Sequence, residues 1–156
     1  MTERCVDASL IVKLALEGER DSHTARRLVR DSVAAGIRLI APPIFPYEVD
    51  SVIRRCVYSG RLDSGYAQEA FAILDRAPVE IVNHVELRPL ARQIADQFNQ
   101  PTVYDATYAA LAQLRGCEFW TADMAFFEAT ASRLGFVKYL PHYDQGPAVL
   151  DLPEGV

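Results

Sequence analysis

Apolar positions along this chain recur at two spacings, and the alternation between them outlines its elements. Short apolar runs at 3–6, 37–41, 79–82, 117–120 and 136–140 read as strands. Between them, apolar residues recur at helical spacing over 9–16, 21–35, 45–58, 64–76, 86–98, 103–115 and 124–134. The stretch 45–58 carries one clear stripe, Phe45, Val49, Val52, Ile53 and Cys56, with Asp50 and Arg54 facing away. Gly36, Gly60 and Gly116 lie just past three of the helical stretches, where glycine often closes a helix. Pro42-Pro43 and Pro78 mark two further boundaries. From Pro141 on, with Gly146, Pro147, Pro153 and Gly155, no pattern continues.

Strands alternating with helices predict an α/β fold, a parallel sheet of about five strands between two helical layers. One domain over 1–141 is expected, with an irregular C-terminal tail over 142–156. No apolar run approaches the ~20 residues of a membrane helix. Glu3, Arg4 and Asp7 interrupt any signal-like start, so a cytoplasmic protein is expected.

Charge changes this picture little. Sixteen Lys and Arg stand against 21 Asp and Glu, a net −5 that taken alone disfavours a nucleic-acid partner. Setting four acids aside as metal ligands nearly balances the count. All the cations except Lys13 and Lys138 are arginines, whose donor fork suits phosphate. Arg26, Arg27 and Arg30 lie off the apolar stripe of 21–35, as a solvated face or an RNA-backbone contact. Three cysteines, Cys5, Cys56 and Cys117, are odd in number and lack C-x-x-C spacing, which argues against disulfides and zinc. They read as buried small hydrophobes.

Four acids fall at strand exits or helix starts: Asp7, Glu48, Asp105 and Asp123. Open α/β sheets place ligands outside the carboxyl ends of their strands. Each acid alone has a structural explanation. Asp7 and Asp123 can cap the helices that follow them, Asp105 fits a capping box with Thr102, and Glu48 suits the dipole of a first helical turn. Arg55 lies two turns beyond Glu48 on nearly the same helix edge. His23, His84 and His142 all fall outside the acidic stretches, which disfavours zinc or a histidine base.

Taken in order, these stretches resemble the PIN-domain ribonucleases, and among them the VapC-type toxins of toxin–antitoxin pairs. The matching segments are Val6-Asp7-Ala8-Ser9, Ala41-Pro42 through Tyr47-Glu48-Val49, Tyr104-Asp105-Ala106-Thr107-Tyr108-Ala109-Ala110-Leu111-Ala112 and Trp120-Thr121-Ala122-Asp123. The resemblance spans about 3–141. One departure is Ala125, where many relatives carry a basic or polar residue. The resemblance implies a PIN-like three-layer fold with sheet order 3-2-1-4-5, which places Asp7 and Asp123 on adjacent strands ~5 Å apart.

By the same resemblance the four acids hold Mg2+ or Mn2+, hard ions that suit oxygen-only ligands. The implied activity is metal-dependent endonucleolytic hydrolysis of RNA, leaving 5′-phosphate and 3′-hydroxyl ends, with Asp105 or Asp123 orienting the attacking water. Ser9 and Thr121 either hydrogen-bond a phosphate or metal water, or cap helix starts locally; with Arg55 they are the expected substrate contacts. The implied partners are RNA, an antitoxin and a second copy of the chain in a homodimer. Tyr58 and Tyr66, flanking a Gly-containing connection, are expected to be exposed for such a partner, and Phe45 and Phe71 to be core. The competing expectation is a PIN-like module that binds RNA or protein without cutting. An aspartyl-phosphate phosphatase is disfavoured because Ser9 stands where its second Asp is needed, and a nucleotide-binding fold because no Gly-rich phosphate loop follows any strand.

Overall fold

The computed structural model describes residues 2–145. Its strands are β1 (Glu3–Val6), β2 (Arg38–Ala41), β3 (Val79–Ile81), β4 (Glu118–Thr121) and β5 (Val137–Tyr139), all parallel, in the order β3-β2-β1-β4-β5. The expected order is therefore found. Seven α-helices connect and flank them: α1 (Ala8–Ile11), α2 (Ser22–Ala34), α3 (Phe45–Tyr58), α4 (Ser64–Asp75), α5 (Leu87–Gln97), α6 (Tyr104–Arg115) and α7 (Met124–Thr130). This is the predicted three-layer α/β/α arrangement, in which a parallel sheet needs both faces covered.

The centre of the sheet carries the core. Cys5, Val6, Ile40 and Phe119 are fully buried, and α6 lies against β1 and β4. Ala106, Ala109, Ala110 and Ala112 on α6 are all fully buried, so small side chains let that helix approach the sheet closely. Tyr108 fills the remaining space, stacked on Phe119 with ring centroids 5.7 Å apart. Gly116 closes α6 in the left-handed region at φ 66°. All three cysteines are buried.

Where the elements differ from expectation, packing explains it. The helix expected over 9–16 is a four-residue α1 followed by a 3-10 turn, Val12–Leu14. Tighter winding brings i and i+3 onto one face, and Val12 and Ala15 are both buried there. Residues 142–145 of the supposed irregular tail belong to a 3-10 helix, Leu140–Gln145, beside α2; 146–156 lie outside the described residues. Tyr143 of that helix donates to Asp31 (2.7 Å) and meets Trp120 edge-on. Tyr58 is 84% exposed as expected, but Tyr66 is half-buried, donating its hydroxyl to the Ala15 carbonyl at 2.7 Å. Among the described residues no helix is long and apolar enough to cross a membrane.

The opposite end of the sheet is clamped by charge. Glu3 accepts from Arg115 and Arg38, and Arg38 also reaches Glu80 on β3. The Arg115 hydrogen bond chiefly holds the Glu3 carboxyl below the ordinary glutamate range, against the opposing effect of burial. The start of β1 is thereby pinned, which sets where its far end delivers Asp7.

Candidate functional site

Pairing of β1 with β4 places Val6 opposite Trp120, so both strands end at the same level. Asp7 and Asp123 leave these adjacent exits, while α3 and α6 bring Glu48 and Asp105 in from their first turns. All four acids line one cleft of about 480 Å³, together with Ser9, Tyr47, Ser51, Arg55, Thr102 and Tyr104. The fold thus gathers the predicted acids, Ser9 and Arg55.

Asp7 is only 3% exposed and is held from three sides. Its Oδ1 accepts from the Ser9 hydroxyl (2.6 Å) and the Leu10 amide (3.1 Å), and its Oδ2 accepts from the Thr121 hydroxyl (2.6 Å). Three of about four lone-pair positions on a carboxylate are then taken. The same two hydroxyls tie the strand exits together, since Ser9 Oγ accepts from the Ala122 amide and Thr121 Oγ1 from the Asp123 amide. Of the two expectations for Thr121, substrate contact and local capping, the contacts match the second: it is fully buried, absent from the cleft lining, accepts from the Asp123 amide and donates to Asp7. Ser9 lines the cleft, but its proton too is committed to Asp7. Both hydroxyls act on the acid rather than past it.

Capping accounts for two acids and not the others. Asp7 caps α1 through Leu10, and Asp123 caps α7 through the Phe126 amide at 3.0 Å. The capping box expected for Asp105 is not formed: the N-cap of α6 is Val103, with no side-chain cap. Glu48 caps nothing either; its Oε1 is buried without a partner among the described residues. The Tyr108 hydroxyl approaches Glu48, yet it too lacks a partner in hydrogen-bonding geometry.

Proton affinities record the crowding. Burial pushes the Asp7 carboxyl up to about 6 despite its three donors. Burial and then the charges of Asp7, Asp123 and Glu48 push Asp105 up to about 7. Glu48 is raised as well, mainly by burial. Among the described residues Arg55 is the only cationic one lining the cleft. Carboxylates gathered like this repel one another unless a cation lies among them.

The donor set suits a hard divalent ion: carboxylate oxygens only, a bare Glu48 oxygen and an open position on Asp7 Oδ2. Among the described residues no three His, Cys, Asp or Glu side chains already converge on one point. Binding of such an ion would require the acids to close inward. His84 and His23 stand exposed away from this cleft, and His142 packs on Phe127 and Tyr139.

Sequence reasoning left Tyr47, Ser51, Thr102, Tyr104 and Tyr108 without roles. Their signal was adjacency: Tyr47 and Tyr104 each directly precede an acid, and Ser51 follows Glu48 by three residues on α3.

Comparison with known proteins agrees with this architecture. PAE2754 of Pyrobaculum aerophilum superposes with a TM-score of 0.65 at 19% identity, covering 92% of this chain and 96% of its own. VapC20 of Mycobacterium tuberculosis, a sarcin–ricin loop cleaving toxin, superposes with a TM-score of 0.58 at 20% identity, covering 81% and 95%. At these identities the likeness is one of fold. A comparison with curated proteins finds no match. The sequence profile of the PIN domain matches residues 4–132, all the chain that carries the four acids, and the chain belongs to the PIN-domain family.

Proposed function

We propose that this protein is a Mg2+- or Mn2+-dependent endoribonuclease and the toxin of a toxin–antitoxin pair. The observation that carries the reading is that four carboxylates line one cleft, three of them with raised proton affinity, and that among the described residues Arg55 alone brings positive charge to it. Two of these acids, Glu48 and Asp105, cap no helix, and crowding carboxylates costs a metal-free fold stability, so the use of the cluster lies in what it binds.

Asp7, Glu48, Asp105 and Asp123 would hold the ion. The chemistry such an ion supplies is neutralisation of phosphodiester charge and acidification of the attacking water. The chain's own residues do the rest. Ser9 and Thr121 keep Asp7 in one orientation. Asp105 and Asp123 line the cleft, where a carboxylate oxygen left off the ion would orient the attacking water. Arg55, exposed on α3 at the edge of the cleft, is placed to receive a phosphate. The test is cleavage of RNA by the purified chain, present with Mn2+ and absent with chelator. A protein that bound RNA but never Mn2+ would instead be the non-catalytic binding module.

Support for an antitoxin is a second groove, of about 450 Å³, where Leu16, Cys56, Leu62 and Tyr66 offer apolar surface beside Arg61, Glu17 and Glu19. An amphipathic segment fits such a mixed lining. Homodimerisation is part of the same reading.

Thr121→Val replaces a buried hydroxyl by an isosteric methyl and frees Asp7 Oδ2. Loss of such an orienting group costs about 10–100-fold in metal affinity, and calorimetric titration with Mn2+ should show it. An unchanged affinity would mean that Asp7 needs no such support.

A further inference from the structure

Each of three acids in the cleft has an exposed apolar neighbour in sequence: Tyr47 before Glu48, Tyr104 before Asp105, and Met124 after Asp123. Successive helical positions point about 100° apart, so a first turn that turns its acid inward sets the adjacent ring on the rim. Tyr47 is 72% and Tyr104 50% exposed, and both line the cleft. They rise from different helices, α3 and α6, which bring Glu48 and Asp105 into it. Among the described residues neither ring makes a hydrogen bond, an aromatic contact or a cation contact; Tyr66, Tyr108, Tyr139 and Tyr143 all do, and Tyr58, which also makes none, lies outside the cleft lining.

Charge makes these rings more than decoration. Phosphate-driven binding comes from cations that displace counterions, and among the described residues the cleft has one cationic side chain against four acids. A strand drawn to it by charge alone would be held weakly. Stacking on an aromatic face is indifferent to that deficit and tolerant of sequence, because every base has a π-face. It is open only to bases whose own faces are free, which a continuous duplex does not offer.

We propose that Tyr47 and Tyr104 are base-stacking residues that seat two unpaired bases of an RNA strand across the acidic cleft, with Arg55 on the phosphate. This rests on the nuclease reading for its substrate, but the stacking is read separately from cleavage. The rings position the strand and admit unpaired segments; they take no part in bond breaking.

The test uses the full chain and a short single-stranded RNA carrying 2-aminopurine, with the same strand annealed as a duplex control. Steady-state cleavage with Mn2+ is compared for the wild type and for Tyr47→Ala, Tyr104→Ala, Tyr47→Leu, Tyr104→Leu, Tyr47→Trp and Tyr104→Trp. Each alanine is expected to raise KM about 10-fold, the effect falling on KM far more than on kcat. Tryptophan should restore KM and leucine should not, because the face and not the bulk is used. Quenching of 2-aminopurine on binding should be strong for the wild type, lost in the alanine variants and absent with the duplex. Mn2+ affinity by calorimetry should be the same in all.

If the wild type quenches 2-aminopurine but never cleaves, the stacking stands and the nuclease reading falls. If it cleaves with KM unaltered by either alanine, or with leucine as effective as tryptophan, the stacking proposal is overturned. It is equally overturned if the wild type shows no quenching, or if the variants change only the mass by light scattering, which would assign the rings to a protein interface.

Discussion

Asp7→Asn is expected to remove Mn2+-dependent RNA cleavage while leaving the fold standing. The two halves of that result follow from different atoms. Asparagine keeps a carbonyl oxygen where Asp7 Oδ1 accepts from Ser9 and Leu10, so the cap on α1 survives. Its amide meets Thr121, whose hydroxyl can turn to accept. Burial already disfavours the Asp7 charge, so losing it offsets the imperfect replacement, and stability should change by no more than about 1 kcal/mol. The open lone pair toward the cleft becomes an N–H that repels a cation. If removal of an orienting neighbour costs about 10–100-fold, loss of the central acid should cost more than that in cleavage rate. Asp7→Ala makes the contrast: it strands Ser9, Thr121 and the Leu10 amide, and should destabilise by about 2 kcal/mol or more. Thermal melts and cleavage assays on both variants separate these effects. Wild-type cleavage by a carefully purified Asp7→Asn protein would remove Asp7 from the site.

Asp105→Asn should behave in the opposite sense on stability, because this acid has no cap to lose. Its folded pKa of about 7 lies above the ordinary aspartate value of 3.8, which represents the unfolded chain. For a raised acid, the stability associated with the proton is fully present below 3.8 and is lost as pH rises through about 7. Metal-free wild-type protein should therefore weaken between these limits relative to the variant. One pKa unit corresponds to 1.36 kcal/mol; allowing for solvent screening and the lost helix-dipole attraction, the advantage of Asp105→Asn at pH 8 should be on the order of 2 kcal/mol. That corresponds to about 5 °C in Tm for a chain of this size. Saturating Mn2+ should shrink or invert the difference, since the ion stabilises only the protein that binds it. A variant that melted below the wild type in chelator at pH 8 would refute the account of Asp105 as a repelled carboxylate.

Much of the architecture was legible in the chain because local signals agreed. The apolar stripe of α3, with Pro42-Pro43 before it and Gly60 after it, marks Phe45–Tyr58 without ambiguity. Short strands between amphipathic helices imply a parallel sheet because each parallel crossover needs a covering helix. The four acids were legible as a set, since acids recur where strands end and helices begin.

What the sequence by itself determined was therefore the kind and order of elements, and which acids lie at their ends. Only the tertiary structure decided how those ends meet. Pairing of β1 with β4 joins Asp7 to a hydroxyl 114 residues away, and no local rule distinguishes Thr121 as an anchor for Asp7 from Thr121 as a substrate contact. The capping box suggested for Asp105 failed because α6 begins at Tyr104 with Val103 at its cap, one residue later than a Thr102 cap requires. The fate of the tyrosines was equally hidden. Tyr47, Tyr104 and Tyr108 all occur in the segments around Glu48 and Asp105, yet two stand on the rim and one stacks in the core, because burial depends on which neighbours the fold supplies.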